Sequence, residues 1–545
     1  MTDHARSDWP RYDADAFARA RRAGKPLLLR ITHFGCEATA DMERHADPDP
    51  ATQRELAGFV AVSLDRDLDP ALDRACQLAH QLLTQTPGGW PLHVFFDAET
   101  ALPYFSATWL PSRARDGLPA FATLLARART FHDDERAALQ GQHAALRAAL
   151  EELAPHTAAA HDLDEAPLRK ARATLEVGFD FEHGGFGTQP KFVRPALLER
   201  LLRDWRRSAT GPQPDLQALF MVTLTLTRLA ASPMRAASGA FHGHATEADW
   251  SSPDPMCRLA DNGALLALYA QATLATGERE FAHVTRALAT ELQRNWRTAD
   301  GAFIAAMRLA PPEAGNSMVE RDERVFVAGN AQTIRGLAWA ARALRDDDCV
   351  EAACAALAAL RARYWRDDRL LRPDERMAGL EEHALLADAT LELLQQRWDP
   401  STHAFLESLV TTLREHFEDQ LEGGFFDVHA ASNAPSSFRK IKTFADDSAP
   451  AGNAIAARVL LRTAAFAEDP ARRSAALRTL RLAAPMLLQQ PQAHATLLGV
   501  LEETLWPPEV LVLKGVGHEI ENARLDLQKV YTPTRLVFAI PETCA

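Results

Sequence analysis

A short phrase returns along this chain and constrains what it can fold into: a Gly-Gly or Gly-Ala pair followed by an aromatic. It reads Gly184-Gly185-Phe186-Gly187, then Gly239-Ala240-Phe241, then Asp300-Gly301-Ala302-Phe303, and last Gly423-Gly424-Phe425-Phe426-Asp427. The segment from Trp365 to Leu371 falls where a missing member is due, which sets a period of about 55–65 residues. Between these phrases, apolar spacing and helix breakers predict twelve helices, near 165–178, 195–208, 213–230, 257–276, 279–296, 329–345, 348–364, 379–397, 401–417, 449–466, 469–487 and 490–504.

The phrases all follow odd-numbered helices, whereas the links after even-numbered helices are short. In a ring of antiparallel hairpins, every long loop then opens on one face. This predicts an (α/α)6 six-hairpin toroid barrel over 161–505 with one elaborated mouth. Familiar open helical repeats, at about 33–47 residues, are shorter than this period.

Each even helix starts at the mouth, so its first turns face the cavity if it lies on the inner ring. Those turns hold Asp261, Asn262, Asn330, Gln332, Glu381, Glu382, His383 and Asn453, and the loops add Lys191, His242, His244, Trp250, Arg439, Lys442, Asp446 and Asp447. Polar groups in apolar surroundings must find partners or a ligand, since burying them unpaired costs about 1–3 kcal/mol each. Carboxylates, amides and aromatics around a cup suit a sugar ring or another polyol. The candidate ligand-binding set is Lys191, Trp250, Asn262, Asn330, Arg439, Lys442 and Asn453.

The candidate catalytic set is Asp261, Glu382, Asp446, Asp447 and His242. Glycoside hydrolysis needs two carboxyl groups, and epimerisation beside a carbonyl needs a base and an acid. Glu381 or Glu382 with Asp446 or Asp447 supplies a carboxyl pair, and His242 or His383 a proton shuttle. The structural readings stand beside these. Asp446 and Asp447 are ordinary helix-start residues, Asp261 can be a buried strut, and the glycine pairs can serve turns.

Residues 1–130 alternate helix and strand. Apolar runs at 25–32, 59–64 and 92–96 read as strands with helices between them, an α/β pattern. Cys36 follows the first run and precedes a helix, so its thiol sits near a positive helix end that favours thiolate. Pro91 directly precedes the third run and is a candidate cis peptide. Residues 131–160 read as a helical connector, and 506–545 as a small α/β tail that must dock on the larger body.

The net charge is −13, from 60 Lys+Arg against 73 Asp+Glu, and no basic stripe with interleaved aromatics speaks for nucleic acid. No apolar run reaches the roughly 18 residues a membrane span needs, and the first residues carry no signal core. A cytoplasmic protein without membrane or nucleic-acid partners is expected. Six cysteines without a Cys-x-x-Cys, and no paired-histidine or phosphate-loop motif, point to no metal and no cofactor.

The order Gly-Cys36, Leu64 to Asp67, Gly88 to Pro91 and Thr108 to Pro111 resembles the thioredoxin-like domain of the spermatogenesis-associated protein 20 family. Where that family has Cys-x-x-Cys, this chain has Cys36-Glu37-Ala38-Thr39. A cycling dithiol needs a second sulfur within covalent reach, which Thr39 cannot supply, so dithiol oxidoreductase chemistry is not expected. The family's second domain is similar to the six-hairpin glycosidase and N-acylglucosamine epimerase folds. Gly184 to Gly187 with Gln189 to Phe192, Asp261-Asn262, and Arg439-Lys440 with Asp446 to Asn453 resemble its motifs. Between Trp250 and Asp261 the family's His, Glu, Lys and Tyr are absent.

Three functions remain open: a carbohydrate-related barrel binding or transforming a sugar at its mouth, a scaffold in which both ancestral sites have decayed, and a thiol-linked accessory protein acting through Cys36.

Overall fold

The computed structural model describes residues 9–153, 162–310, 318–432, 438 and 440–542; Arg439 lies outside them. The chain divides into two compact units, Met1–Pro155 with Ala430–Ile441, and His156–His429 with Lys442–Ala545.

The first unit is a four-stranded sheet wrapped by helices. β1 (Leu27–Thr32) is buried along its whole length because it is central. It pairs in parallel with β2 (Val60–Asp65) and antiparallel with β3 (Leu92–Asp97). β4 (Leu102–Ala107) completes the order β2-β1-β3-β4. The sequence reading missed β4 because Pro103 interrupts it, and proline is tolerated at an edge position of this kind.

The helices are α1 (Ala16–Ala23), α2 (Glu37–His45), α3 (Pro50–Leu56), α4 (Pro70–Thr84), α5 (Phe121–Asp134) and α6 (Arg136–Leu153). Asp49 and Asp69 cap α3 and α4, each followed by a proline whose missing N–H costs nothing there. This is a thioredoxin-like arrangement. The stretch from 131 is part of the unit: α5 runs on to Asp134, and α6 buries Leu139 and Leu146 while packing on α4, α5 and β4. Phe438 also belongs to this core, its ring 6.2 Å edge-on from Phe96.

In the second unit, α8 (Pro195–Ser208), α10 (Leu259–Thr276), α12 (Val327–Leu344), α14 (Leu380–Leu394), α16 (Gly452–Ala467) and α18 (Ala495–Leu505) form an inner ring. Each packs on the next, and α18 returns to α8. Around them lie α7 (Ala166–Val177), α9 (Leu216–Ala231), α11 (Arg279–Glu291), α13 (Asp347–Tyr364), α15 (Pro400–His416) and α17 (Pro470–Gln489). The unit is an (α/α)6 barrel.

Inner helices such as α14 are buried almost all round, which is why their sequence shows so little amphipathic contrast. α10 and α12 touch backbone to backbone: a Cβ on Gly336 would stand 2.5 Å from Gly263 O, and one on Gly263 2.7 Å from Thr333 N. The tail forms a parallel pair, Glu509–Gly515 beside Arg535–Pro541, with α19 (His518–Leu527) between them. It docks through Tyr531, whose hydroxyl donates to Gln271 Oε1, and Pro533, whose carbonyl accepts from Arg462 of the inner ring. Among the described residues no helix is long and apolar enough to cross a membrane.

Candidate functional site: the barrel mouth and bore, and the Cys36 thiol

Three mouth loops are one hairpin repeated. In the first, Ala236 N–H donates to Ala240 O, Gly239 N–H to Ala236 O, and His242 N–H to Met234 O, all at 2.9 Å. Thr298, Gly301 and Ile304 donate in the same pattern to Ala302, Thr298 and Trp296. Arg372, Glu375 and Ala378 do so to Arg376, Arg372 and Leu370. The missing repeat member is therefore Leu371 to Met377, and Trp365 to Leu370 makes a separate small hairpin. Glu375, at φ 64°, stands in the left-handed corner that Gly239 and Gly301 fill at 103° and 99°, so the glycine phrase is absent from the sequence while the loop persists.

The inner-ring asparagines hold these loops. Asn262 Oδ1 accepts from Phe241 N at 2.7 Å, while its Nδ2 donates to Phe241 O and Arg258 O. Asn330 does the same for Phe303 and Phe326 O, and Asn453 for Phe425 and Thr443 O. On α14 the corresponding group is His383, whose Nδ1 meets Gly379 O at 2.8 Å. Burial brings the His383 imidazole down to about 4, so it is neutral at pH 7. The three amides expected to bind ligand thus use both ends of their side chains on backbone.

The two lysines are loop clamps as well. Lys191, fully buried, donates to Asp180 Oδ2 at 2.6 Å and Ala248 O at 2.8 Å, with its ammonium over the Trp250 ring. Lys442 donates to Asp419 Oδ2 at 2.8 Å and Gly423 O at 2.7 Å, over Phe426. Asp180 and Asp419 in turn cap the same turn before each Gly-Gly pair, through the N–H groups of Glu182 and His183, and of Leu421 and Glu422. Trp250 is buried, its indole N–H donated to His183 O.

Glu382 pairs with Arg372 at 2.6 Å and caps Gly379 N. Burial opposes its charge, but Arg372 outweighs it and holds the carboxyl below the ordinary range. Asp446 accepts from Ala451 N at 3.0 Å and Thr496 N at 2.9 Å, tying its loop to α18; burial raises its pKa. The carboxyl pair expected from these two residues is therefore committed on both sides. Asp447 is exposed, with its N–H donated to Ala449 O. His242 is buried and neutral because burial lowers its pKa, and its Nδ1 is 3.6 Å from Cys257 Sγ. Asp261 is half-buried at the start of α10, beside the Gly243 backbone.

The bore holds charges that sequence reading did not single out. Arg335 on α12 donates to Glu199 on α8 at 2.8 Å. α10 stands between those helices in the ring, so the two side chains meet in the bore. Arg335 also approaches Asp388 of α14 at 3.5 Å, and Arg458 of α16 grips Asp388 at 2.6 and 2.9 Å. One turn deeper, Arg462 joins Glu503 and Glu392, and Arg203 joins Glu502 and Glu503. Burial disfavours the charge of Glu199, yet Arg335, Arg458 and Arg203 bring it to about 2. Their signal in sequence is the four-residue spacing of charged residues within apolar helices: Glu199 and Arg203, Asp388 and Glu392, Arg458 and Arg462.

Glu199 and Arg335 retain 21% and 16% of their side-chain surface, so the ring leaves free space against this pair. Gln332 Nε2, Trp339 Nε1 and Gln271 Nε2 are buried without a partner among the described residues. Gln332, Arg335 and Trp339 lie on one stripe of α12. Among the described residues no three His, Cys, Asp or Glu side chains gather as they would around a metal ion.

In the first unit Cys36 is the N-cap of α2, with extended φ and ψ of −72° and 100°. Its neighbours are His33, whose ring meets Trp90 edge-on at 5.6 Å, and Thr39, whose hydroxyl is tied to that of Thr32 at 2.6 Å. Burial opposes ionisation of the Cys36 thiol, but hydrogen bonds with His33 and Thr39 outweigh it and lower its pKa. The Trp90–Pro91 peptide is cis.

A thioredoxin-like domain with Cys36 at the N-cap of α2, followed by an (α/α)6 barrel, defines the class of this protein. Residues 1–151 match the thioredoxin DsbH family, described as protein of unknown function, DUF255. The chain is 28% identical over 337 residues to spermatogenesis-associated protein 20 of Homo sapiens, covering 60% of this chain and 42% of that protein. It is 26% identical over 313 residues to an uncharacterized protein of Caenorhabditis elegans, covering 56% and 42%. The matches thus span about two fifths of the length of these relatives. Among solved structures, a D-mannose isomerase aligns with a TM-score of 0.50 at 10% identity, covering 63% of this chain and 96% of that one; the likeness is one of fold. The resemblance to the spermatogenesis-associated protein 20 family, first carried by short motifs, rests on these matches.

Proposed function

We propose that the barrel unit binds a sugar or related polyol in its bore, with Glu199 and Arg335 at the floor. The observation that carries this reading is the accessible surface retained inside the ring by an ion pair contributed by two non-adjacent inner helices. An ionised carboxylate accepts from hydroxyls, and a guanidinium donates to ring and hydroxyl oxygens, so the pair offers both halves of what vicinal hydroxyls require. The buried Nε2 of Gln332, one turn from Arg335 toward the mouth, adds to it, since a donor at that depth requires an acceptor, which a sugar oxygen or ordered water supplies.

Binding is favoured over hydrolysis. A glycosidase needs a carboxyl group protonated at working pH. Glu199, at about 2, is ionised, and Asp446, whose pKa is raised, spends its oxygens on backbone N–H groups.

Calorimetric titration of the full chain with a panel of monosaccharides tests this. At least one sugar is expected to bind saturably, and Glu199→Gln or Arg335→Lys, each shown to be folded by circular dichroism, to weaken it about tenfold. A panel with no binder, or folded variants that bind as the wild type does, would sink the reading. A second reading is carried by Cys36, whose lowered pKa suits a nucleophilic thiolate: attack on a disulfide sulfur forms a mixed disulfide and expels the other sulfur as thiolate.

A further inference from the structure

The two strands of the tail differ in what lies beside them. Glu509 N–H donates to Thr534 O at 2.9 Å, so the backbone groups of Glu509 face the Arg535–Pro541 strand. Successive residues of a strand aim these groups to opposite sides, so those of Leu511, Leu513 and Gly515 face the same way and those of Val510, Val512 and Lys514 face outward. The outer side of the second strand is occupied, since Val537 N–H reaches Gln395 Oε1 of α14's end at 3.4 Å. The outer side of the first is not. The sheet stops there, and among the described residues nothing bonds to the backbone of Val510, Val512 or Lys514 beyond it. Val510 is half-buried, Val512 is 42% exposed, Lys514 is exposed, and Val516 just beyond is 71% exposed. An apolar edge of this length is a template for another strand, and proteins guard such edges with charge, proline or a bulge. Between Val510 and Lys514 the one guard is Lys514 itself.

We propose that this edge is an interface between two copies of the chain, their Glu509–Gly515 strands pairing antiparallel about a two-fold axis at Val512. The two tail sheets then become one. The register follows from the outward groups: with Val512 opposite its own copy, Val510 stands opposite Lys514, and each outward N–H meets an outward C=O. A two-fold at Lys514 would set two ammonium groups against each other. One at Leu511 would set Lys514 against Pro508, which has no N–H to give, and one at Leu513 would set Val510 against Val516, beyond the strand. Pro508 before the strand and Gly517 after it, at φ 57°, bound the ladder at both ends. A second copy is favoured over a foreign segment because the edge is complementary to itself: valine lies on valine, Lys514 on Val510, and no like charges meet.

Sedimentation equilibrium of the full chain is expected to give the mass of two chains at high concentration, falling toward one on dilution. Amide hydrogen exchange in the peptide spanning 509–515 is expected to slow at least fivefold in the dimer. Val512→Cys is expected to form a 512–512 disulfide on mild oxidation, identified by mass spectrometry, because directly opposite Cα atoms stand about 5.5 Å apart. Val510→Cys is expected not to, since the two copies of residue 510 lie roughly 14 Å apart in this register. Val512→Lys is expected to weaken dimerisation at least tenfold with an unchanged circular dichroism spectrum. The proposal is overturned if the chain is monomeric up to its solubility limit, which would leave the edge to a strand of another protein. It is equally overturned if dimerisation leaves exchange at 509–515 unchanged, if Val510→Cys links as readily as Val512→Cys, or if folded Val512→Lys dimerises like the wild type. Should Val512→Lys fail to fold, wild-type exchange and the two cysteine variants decide the matter.

Discussion

Asn262, Asn330 and Asn453 each present an acceptor and a donor to the N–H and C=O of one loop residue, so one side chain satisfies two backbone groups of its loop. A primary amide can do this; a carboxylate of the same shape cannot, since it has no proton to give. Cys36 is the contrasting residue, since its neighbours bias its protonation rather than its position. The lowered pKa means that thiolate is present at lower pH than for an ordinary cysteine near 8.5. The rate of iodoacetamide alkylation at Cys36 is therefore expected to rise with a midpoint below that of a free cysteine thiol measured alongside, and His33→Ala to move that midpoint upward. A wild-type midpoint at or above that of the free thiol would count against the thiol reading.

At the scale of elements, the repeated hairpin separates what a loop needs from what its sequence shows. Gly301 sits at φ 99° with Ala355 Cβ 3.1 Å from where its own Cβ would be, whereas Glu375 carries a full side chain at φ 64° in the equivalent corner. Glu375→Gly is expected to relieve left-handed strain and raise stability by up to about 1 kcal/mol, measured by urea unfolding. Asn330→Ala, by the same measurement, is expected to cost about 1–3 kcal/mol, because it leaves the buried Phe303 peptide unpaired. The helices themselves were legible from apolar spacing, all twelve in order. The fourth loop was not, because Glu375 hides the glycine by which its siblings are recognised, and β4 was not, because Pro103 lies inside it.

For the molecule as a whole, the bore is the unusual part. Buried ion pairs add little net stability over apolar packing, but breaking one costs about 3–5 kcal/mol. The acid response of the bore network has a definite sign. For Glu199 and Glu502 burial disfavours the charge, but the arginines outweigh it and bring both to about 2, below the 4.3 of an unfolded glutamate. The stability they contribute is fully present above about 4.3 and is lost as pH falls from there toward 2. Urea midpoints of the barrel transition are expected to be level between pH 7 and 5 as far as these groups are concerned and to fall steeply below 4.5; Glu502→Gln should flatten that fall. Midpoints that stay level to pH 2.5 would mean the pairs are not formed in solution.

The sequence alone determined the period, the alternation of long and short links, the strand–helix alternation of residues 1–130 and the place of Cys36 after its first strand, because those follow from local spacing and turn chemistry; the thioredoxin-like order came from the family resemblance. It could not assign the polar residues of the mouth. Asn, Lys and Glu at helix starts look the same whether they bind a ligand or a neighbouring loop, and only the closed ring decides which. Asn262, Lys191 and Glu382 proved to face backbone and counter-ions, while Glu199 and Arg335, 136 positions apart, proved to meet. Contacts across the ring carry no local signature, because they depend on how six helices close around one axis.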